Sequence, residues 1–295
     1  MNPSTLPIRI RATSSRLSKG LLAIPQRFVH LFPADKSKIY VRFDIEGPAT
    51  PLTYTDYDTS SREARIFGLG GWFSTATIQN GDVIRIIVLD REKRLYRIAL
   101  DSVVQAEEEG ATRVRLESAQ SDNVAEQEFH TLVRLTRRRP RKLAQHEVLQ
   151  IAERTICKPR PQLLVPASIR SEGVPAGLRH LLRELHGGKC QMCSFTFQRR
   201  DGEPYFEIHH LDPELGHHPH NLLVLCANCH AQFEHAKLTH FVWNENWLVS
   251  VTINGRHRIV RQPLAKRSLR GSVLGMSVYA VSQIGFAIIS GRLVA

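Results

Sequence analysis

Short apolar and alternating runs, separated by turn signals, fill residues 1–105 of the 295-residue chain. Runs of this kind that are rich in Ile, Val, Tyr and Phe predict β-strands, because alternate side chains of a strand face one core. The tripeptides Glu-Gly-Pro and Asn-Gly-Asp predict turns between the runs. We therefore expect strands at 39–44, 63–68, 82–89 and 94–100, and a short helix at 25–32.

After residue 105 the apolar residues follow helical spacing in some segments and strand-like spacing in others. Helical spacing of apolar residues predicts a helix at 123–136, which is followed by a basic run and by prolines that break regular structure. Leucines at helical spacing predict another helix at 176–187, which ends at a Gly-Gly pair. Two or three strands with an Asn-Gly turn at 254–255 are expected after residue 240.

These elements predict an α+β fold with two domains. Residues 1–105 form the first domain, 106–175 a linker with the basic run, 176–265 the second domain, and 266–295 an apolar C-terminal tail. The uncharged stretch 271–291 is long enough to span a bilayer, but it contains serines and a glutamine. We interpret it as a packed C-terminal element or as a tail, and we expect no membrane partner.

The chain has an excess of basic residues, 40 Lys and Arg against 28 Asp and Glu, and a formal net charge of +12. Such an excess favours polyanions such as nucleic acid through counterion release. Within the basic run, Arg137, Arg138 and Arg139 are candidates for contacting the DNA backbone, and a solvated surface is the alternative. The N-terminus has no long apolar core, so no signal peptide is evident and a cytoplasmic location is expected.

Two Cys-x-x-Cys pairs stand close to a group of histidines. Cys190 with Cys193 and Cys226 with Cys229 supply four thiolates, which are enough to close one tetrahedral structural Zn²⁺ site. This use of cysteine indicates a reducing compartment rather than a disulfide framework, and Cys157 is expected to be a free thiol. Because the zinc needs no further ligand, the clustered histidines are candidates for a second, catalytic metal site.

The run from Glu207 to His210, which reads Glu-Ile-His-His, is followed by Asn221 and His230 and resembles the HNH, or ββα-metal, endonuclease motif. The four cysteines make the chain similar to the branch that includes bacterial methyl-specific restriction proteins, and the Glu-x-His-His core is similar to that of the DNase colicins. The resemblance covers about residues 176–240. It implies that His209 and His230 bind a catalytic divalent cation such as Mg²⁺ or Mn²⁺. It also implies that His210 is the general base and that Asn221 braces the loop that orients it.

The third metal ligand is the place where the chain departs from that family pattern. The family often has a histidine four residues after His230, but this chain has Glu234 there and His235 one position later. On a helix the i+4 residue shares the face of residue i, which favours Glu234, and both candidates stay open. Glu207 is a candidate for orienting a histidine or an arginine. The loop histidines expected to be solvated, or to face a phosphate, are His217, His218 and His220.

Residues 14–28 and 66–86 resemble the opening segment and the glycine-tryptophan strand of the plant B-three type DNA-binding pseudobarrel. The resemblance covers about residues 5–100. It implies an N-terminal β-pseudobarrel whose loops 11–20 and 53–62 enter the major groove of double-stranded DNA, where side chains of these types contact bases and phosphates. A barrel without a DNA role is the alternative. The candidate DNA-binding residues are Arg11, Ser14, Arg16, Lys19, Tyr57, Asp58, Ser61 and Arg62.

Together these interpretations predict a site-specific DNA endonuclease, most simply a restriction enzyme, that hydrolyses phosphodiester bonds with one divalent metal and a histidine base. Because one HNH module cuts one strand, we expect a homodimer on DNA. The alternatives are a zinc-containing DNA-binding regulator without cleavage activity and a homing or phage-type HNH nuclease.

Overall fold

The structure is a computed structural model, and it describes residues 7–34, 36–57, 63–160, 162–165, 168–171 and 173–265. The candidate DNA-binding residues Asp58, Ser61 and Arg62 and the apolar tail 266–295 lie outside the described residues. Within the described ranges, no helix is both long enough and apolar enough to cross a membrane.

Seven strands of the N-terminal region form one sheet that is nearly closed into a barrel. They are β1 Ile8–Arg11, β2 Leu21–Ile24, β3 Ser37–Arg42, β4 Thr50–Thr55, β5 Ala64–Phe67, β6 Val83–Asp90 and β7 Leu95–Leu100. Their order is β1-β6-β7-β3-β4-β5-β2, and every pair is antiparallel except β3 with β7. The four strands expected from the alternating pattern are confirmed, and the helix expected at 25–32 is a 3₁₀ helix at Gln26–Leu31.

The alternating pattern builds the barrel because every second strand residue points into a single core. Ile39, Ile66 and Ile86 are examples of strand residues that are almost completely buried there. Burial stabilises the barrel by about 1.5–3 kcal/mol for each such side chain. Helix α1 Ser14–Ser18 joins the two edge strands β1 and β2, and helix α2 Gly70–Thr75 contributes Phe73 to the core.

Three helices follow in the segment that the sequence indicated as a linker: α3 Asp101–Glu117, α4 Asp122–Thr136 and α5 Pro140–Arg154. Helix α4 agrees with the helix expected at 123–136. The sequence pattern did not indicate the other two. Apolar positions are sparse in α3, whose buried residues are Val104, Thr112 and Leu116. The candidate arginines Arg137, Arg138 and Arg139 lie exposed between α4 and α5. The domain boundaries themselves stay a prediction.

The C-terminal half contains the remaining elements. Strands β8 Gln162–Val165 and β9 Ser168–Ser171 form a hairpin, and α6 Ala176–His186 confirms the helix expected at 176–187. Strands β10 Glu207–His210 and β11 Leu222–Leu225 pair antiparallel and precede α7 Ala227–His235, which makes a ββα unit. The last sheet, with the expected Asn-Gly turn, consists of β12 Leu238–Asn244, β13 Trp247–Ile253 and β14 Arg256–Ile259.

Strand β11 separates two cores because its side chains alternate between them. Leu222 and Val224 face a core that is shared with helices α3, α4, α5 and α6. Leu223 and Leu225 face a second core, which contains three of the four expected zinc-binding cysteines. The α+β fold expected from the sequence, with an N-terminal barrel-like sheet and a C-terminal ββα region, is confirmed.

Candidate functional site

The four cysteines expected to bind zinc lie together where β11 meets α7. Cys226 is the residue before α7, Cys229 is in its first turn, and Cys190 and Cys193 lie in the facing turn. The sulfur of Cys193 is 3.6 Å from that of Cys226 and 3.7 Å from that of Cys229. Zinc–sulfur bonds of about 2.3 Å put the sulfur atoms of a tetrahedral site about 3.8 Å apart. The four thiols therefore fit one structural zinc ion.

Hydrogen bonds prepare the Cys190 turn for that ion. The side chain of Gln191 accepts a hydrogen bond of 2.7 Å from the backbone N–H of Val224, which ties the turn to β11. Burial raises the pKa of the Cys190 thiol, but backbone N–H groups of Cys193 and Cys226 donate to it and bring the pKa below its usual value. A lowered pKa favours the thiolate, which is the form that binds zinc.

Three candidates for the catalytic metal site converge beside the cysteine cluster. His209 lies on β10, and His230 and Glu234 lie one turn apart on α7. Nδ1 of His209 is 3.4 Å from Oε1 of Glu234, and Nε2 of His230 is 4.0 Å from the same oxygen. Among the described residues, His235 is not part of this group. Of the two third ligands left open by the sequence, the geometry favours Glu234.

Glu207 holds the ring of His230. One carboxylate oxygen of Glu207 is 3.3 Å from Nδ1 of His230, and the other accepts a hydrogen bond from the hydroxyl of Tyr205. A carboxylate on one ring nitrogen fixes the tautomer and leaves the opposite nitrogen available to a metal. The sequence allowed Glu207 to orient either a histidine or an arginine, and the contact that the structure shows is with His230.

The donor set of this group fits a divalent cation. Nδ1 of His209 is buried and faces Oε1 of Glu234 at 3.4 Å, which is longer than an ordinary hydrogen bond. Burial, and then the charge of His230, lower the pKa of His209, so the ring is neutral near pH 7 and able to act as a ligand. The side chain of Glu234 is 48% exposed, which leaves one side of the group open to solvent. Two imidazoles and one carboxylate with an open side are typical of a catalytic metal site.

Asn221 closes the loop that follows His210. Its side-chain N–H₂ group donates to the carbonyls of Asp212 and Gly216 at 2.7 and 2.9 Å, and its carbonyl accepts from the N–H of Asp212 at 2.7 Å. The residue is 1% exposed, so these bonds are shielded from water. The contacts are those expected of a residue that braces the loop.

His210 ends strand β10 and is held by a second histidine. Its Nε2 lies 3.1 Å from Nδ1 of His217. Burial lowers the pKa of His210 to about 3, and the positive charge of Arg160 contributes to the shift. The ring is therefore neutral at ordinary pH, which is the form that can accept a proton.

The expectation that the loop histidines are solvated or face a phosphate is wrong for His218, whereas His217 and His220 are half-buried. His218 is buried, and its Nε2 lies 3.0 Å from the carbonyl of Ala152 at the end of α5. The ring of His220 packs edge-on against Trp247 with centroids 4.2 Å apart. These contacts pack the loop against α5 and β13. The packing helps to fix the position of His210, the residue before the loop.

Arg160 is a candidate that sequence reasoning missed. The segment before it presses against the loop after His210: a Cβ on Gly216, whose φ is +54°, would lie 2.1 Å from the carbonyl oxygen of Lys158. The guanidinium of Arg160 lowers the pKa of both His209 and His210, so its charge reaches the histidine group. A half-buried guanidinium there is suited to binding a phosphate. An isolated arginine in a proline-containing segment gives no sequence signal for this role.

The described candidates for DNA contact lie on the surface of the barrel. Arg11 and Lys19 are exposed on either side of α1, and Ser14 begins that helix. The guanidinium of Arg16, in the first expected loop, pairs at 3.3 Å with Glu63, the residue that follows the second. The ring of Tyr57 packs against the guanidinium of Arg65 at 5.7 Å. Which of these side chains contacts a base stays a prediction.

Comparison with known proteins identifies the region that carries both clusters. Residues 190–235 match the family model described as HNH endonuclease, so the resemblance expected from the Glu-Ile-His-His motif is confirmed for this segment. Among solved structures, an Arabidopsis FUS3–DNA complex matches with a TM-score of 0.28 and 18% identity, over 32% of this chain and 96% of that chain. The Arabidopsis thaliana transcription factor LEC2–DNA complex matches with a TM-score of 0.26 and 16% identity, over 34% and 97%. No curated protein matches the chain.

Proposed function

We propose that this protein is a metal-dependent, site-specific DNA endonuclease. The observation that carries the proposal is the convergence of His209, His230 and Glu234 beside His210, within the segment that matches the HNH endonuclease model. A DNA-binding protein that needs only a zinc-stabilised fold has no use for a second, open group of metal-binding side chains. The excess of basic residues supports a polyanionic substrate.

The residues around the group divide the work of phosphodiester hydrolysis. A divalent cation on His209, His230 and Glu234 would stabilise the charge that builds on the phosphate and on the 3′ leaving oxygen. If Nε2 of His210 donates to Nδ1 of His217, then Nδ1 of His210 is left to accept the proton of the attacking water. Arg160 would bind a non-bridging oxygen of the same phosphate.

The barrel and the basic run are both proposed to contact DNA, with different roles. Arg11, Ser14 and Lys19 present exposed donors at one end of the barrel, and Arg16 is held by Glu63 in the same region. Exposed arginines such as Arg137 to Arg139 suit the DNA backbone, which carries no sequence information directly. We propose that the first group selects the site and that the second adds affinity for any duplex.

Restriction of foreign DNA is the proposed setting, and a homing or phage-type nuclease is the second. Because one group of this kind cuts one strand, two copies of the chain would act together on a duplex. A zinc-containing regulator that binds DNA without cutting it is the competing function. It predicts binding without cleavage under every metal condition.

The test is a digest of methylated and unmethylated genomic DNA and of supercoiled plasmid, with Mg²⁺ or Mn²⁺ added or omitted. We expect metal-dependent cleavage. Conversion of plasmid to the nicked form alone would indicate one acting copy, whereas linear plasmid would indicate two. Dependence on methylation would support a methyl-specific restriction role. DNA that is bound but uncut in every condition would contradict the endonuclease proposal and support the regulator.

A further inference from the structure

The barrel passes into the helical region without a loop. Strand β7 ends at Leu100 and helix α3 begins at Asp101. With no intervening residue, the direction of the strand sets the direction of the helix. A flexible hinge at this point would need residues that belong to neither element.

Two buried arginines of the barrel pair with partly exposed carboxylates and fasten the first half of α3 to the outer face of the barrel. Arg85 of β6 contacts Asp101 at 2.5 Å and Glu108 at 2.7 Å, and Arg97 of β7 makes two bonds of 2.6 and 2.7 Å to Glu107. The arginine side chains are only 4% and 9% exposed. Removing a partner would leave a buried charge uncompensated, so the pairs resist separation of helix and barrel. Bidentate arginine–carboxylate pairs also fix orientation.

The second half of α3 packs into the nuclease region, by which we mean helices α4 to α6 together with the ββα unit of β10, β11 and α7. Leu116 is a fully packed member of the core that contains helices α4 to α6 and one face of β11. A Cβ on Gly177 of α6 would lie 2.0 Å from the carbonyl oxygen of Leu116, so the two backbones touch there. Arg113 of α3 also bonds to Glu147 of α5 at 3.1 Å. One helix of 17 residues is therefore fixed at both ends.

We propose that α3 is a rigid spacer which makes the enzyme cut DNA at one constant offset from the bases that its barrel recognises. The proposal rests on the proposed endonuclease function and adds a property of its specificity. A flexible linker between the two regions would instead allow the nuclease region to reach many phosphates around one bound site.

The test maps cut positions and can be run on DNA whose recognition sequence has not been determined. Partially digested genomic DNA is sequenced at its cut ends, and the flanks are aligned on the cut. For the wild-type protein we expect one sequence motif at one fixed distance from the cut. Cuts that share a motif but lie at scattered distances from it would overturn the proposal.

Two matched insertions of Gly-Ser-Gly-Ser-Gly-Ser sharpen the experiment. Between Leu100 and Asp101, the insertion should keep the motif and spread the cuts over several base pairs. Between Glu92 and Lys93, in the turn joining β6 to β7, the same insertion should leave the offset unchanged. An unchanged single offset in the junction variant would also overturn the proposal.

A second measurement separates the spacer from the endonuclease proposal, because it needs no cleavage. In a Cys157→Ser background, spin labels on Lys38→Cys in the barrel and Lys237→Cys after α7 report the distance between the two regions; both sites are exposed. We expect one narrow distance distribution in the zinc-loaded protein and a broad one in the junction variant. The double change Arg97→Gln and Glu107→Gln, which makes no insertion, should broaden it less. A broad distribution in the otherwise unaltered chain would contradict a rigid spacer even if DNA is never cut.

Discussion

The cysteine cluster and the histidine group sit on the same short helix and have opposite designs. Cys229 and His230 are neighbours on α7, yet the cysteine group offers four mutually close sulfur atoms, three of them on buried residues. The histidine group offers three ligands, one of which, Glu234, is nearly half exposed. Ligand number and access to water, rather than position in the fold, decide which site is structural and which can meet a substrate.

Breaking the cysteine cluster should have the largest effect. Because folding of a small zinc module draws on the metal-binding free energy, of the order of 10 kcal/mol, Cys226→Ser should unfold the C-terminal region and abolish zinc binding. Circular dichroism and metal analysis check both results. Cys157→Ser is the matched control, since Cys157 is exposed and outside the cluster. A folded, zinc-free Cys226→Ser protein would contradict the structural assignment.

Changing Arg160, the candidate for binding phosphate, should affect the histidine group and not the cysteine cluster. Arg160→Gln should slow cleavage by about 10²-fold, because a charged donor at the reacting phosphate is lost, while zinc content and thermal stability stay the same. Single-turnover rates on a cleaved duplex measure the effect. Arg154→Gln, an exposed arginine paired with Glu117, serves as the control. Equal rates for the two variants would remove Arg160 from the site.

Glu234 and His235 are neighbours, and only one of them is expected to be the third ligand of the catalytic metal. Glu234→Gln should weaken binding of the catalytic metal by at least about tenfold, as loss of a ligand charge requires. His235→Gln should bind the metal as the wild type does. Titration of cleavage with Mn²⁺ gives both values. The reverse ranking would assign the ligand to His235.

A buried histidine outside both groups should change folding stability and leave both metal sites intact. Burial, and then the charge of Arg183, lower the pKa of His180 to about 4. The unfolded chain binds this proton near pH 6.5, so the stability contribution is complete above pH 6.5 and is lost as the pH falls toward 4. His180→Leu should reduce the change in the free energy of unfolding between these pH values, by at most about 3 kcal/mol. Denaturant unfolding at pH 7 and pH 4.5 checks it, with the exposed His257→Leu as the control. An unchanged pH slope in His180→Leu would contradict the assignment.

The sequence predicted the two clusters well because each is written in short, spaced motifs. Cys226 and Cys229 are three residues apart at the start of α7, so local geometry brings their side chains together. The contacts of Arg160 depend instead on the close approach of Lys158 to Gly216, which no local pattern records. Helix α3 was missed for a related reason. Its stability comes from ion pairs to the barrel and from a few buried residues, so it lacks a long apolar stripe.

The measurement that tests the central claim most directly compares wild type with His210→Ala on one duplex that the wild type cuts. Gel shift in Ca²⁺ reports binding, and cleavage in Mg²⁺ or Mn²⁺ reports chemistry. Loss of a general base costs about 10²–10⁴-fold in rate. We therefore predict equal binding by the two proteins and a fall of that size in cleavage. Undiminished cleavage by His210→Ala at neutral pH would contradict the assigned base and, with it, the proposed active site.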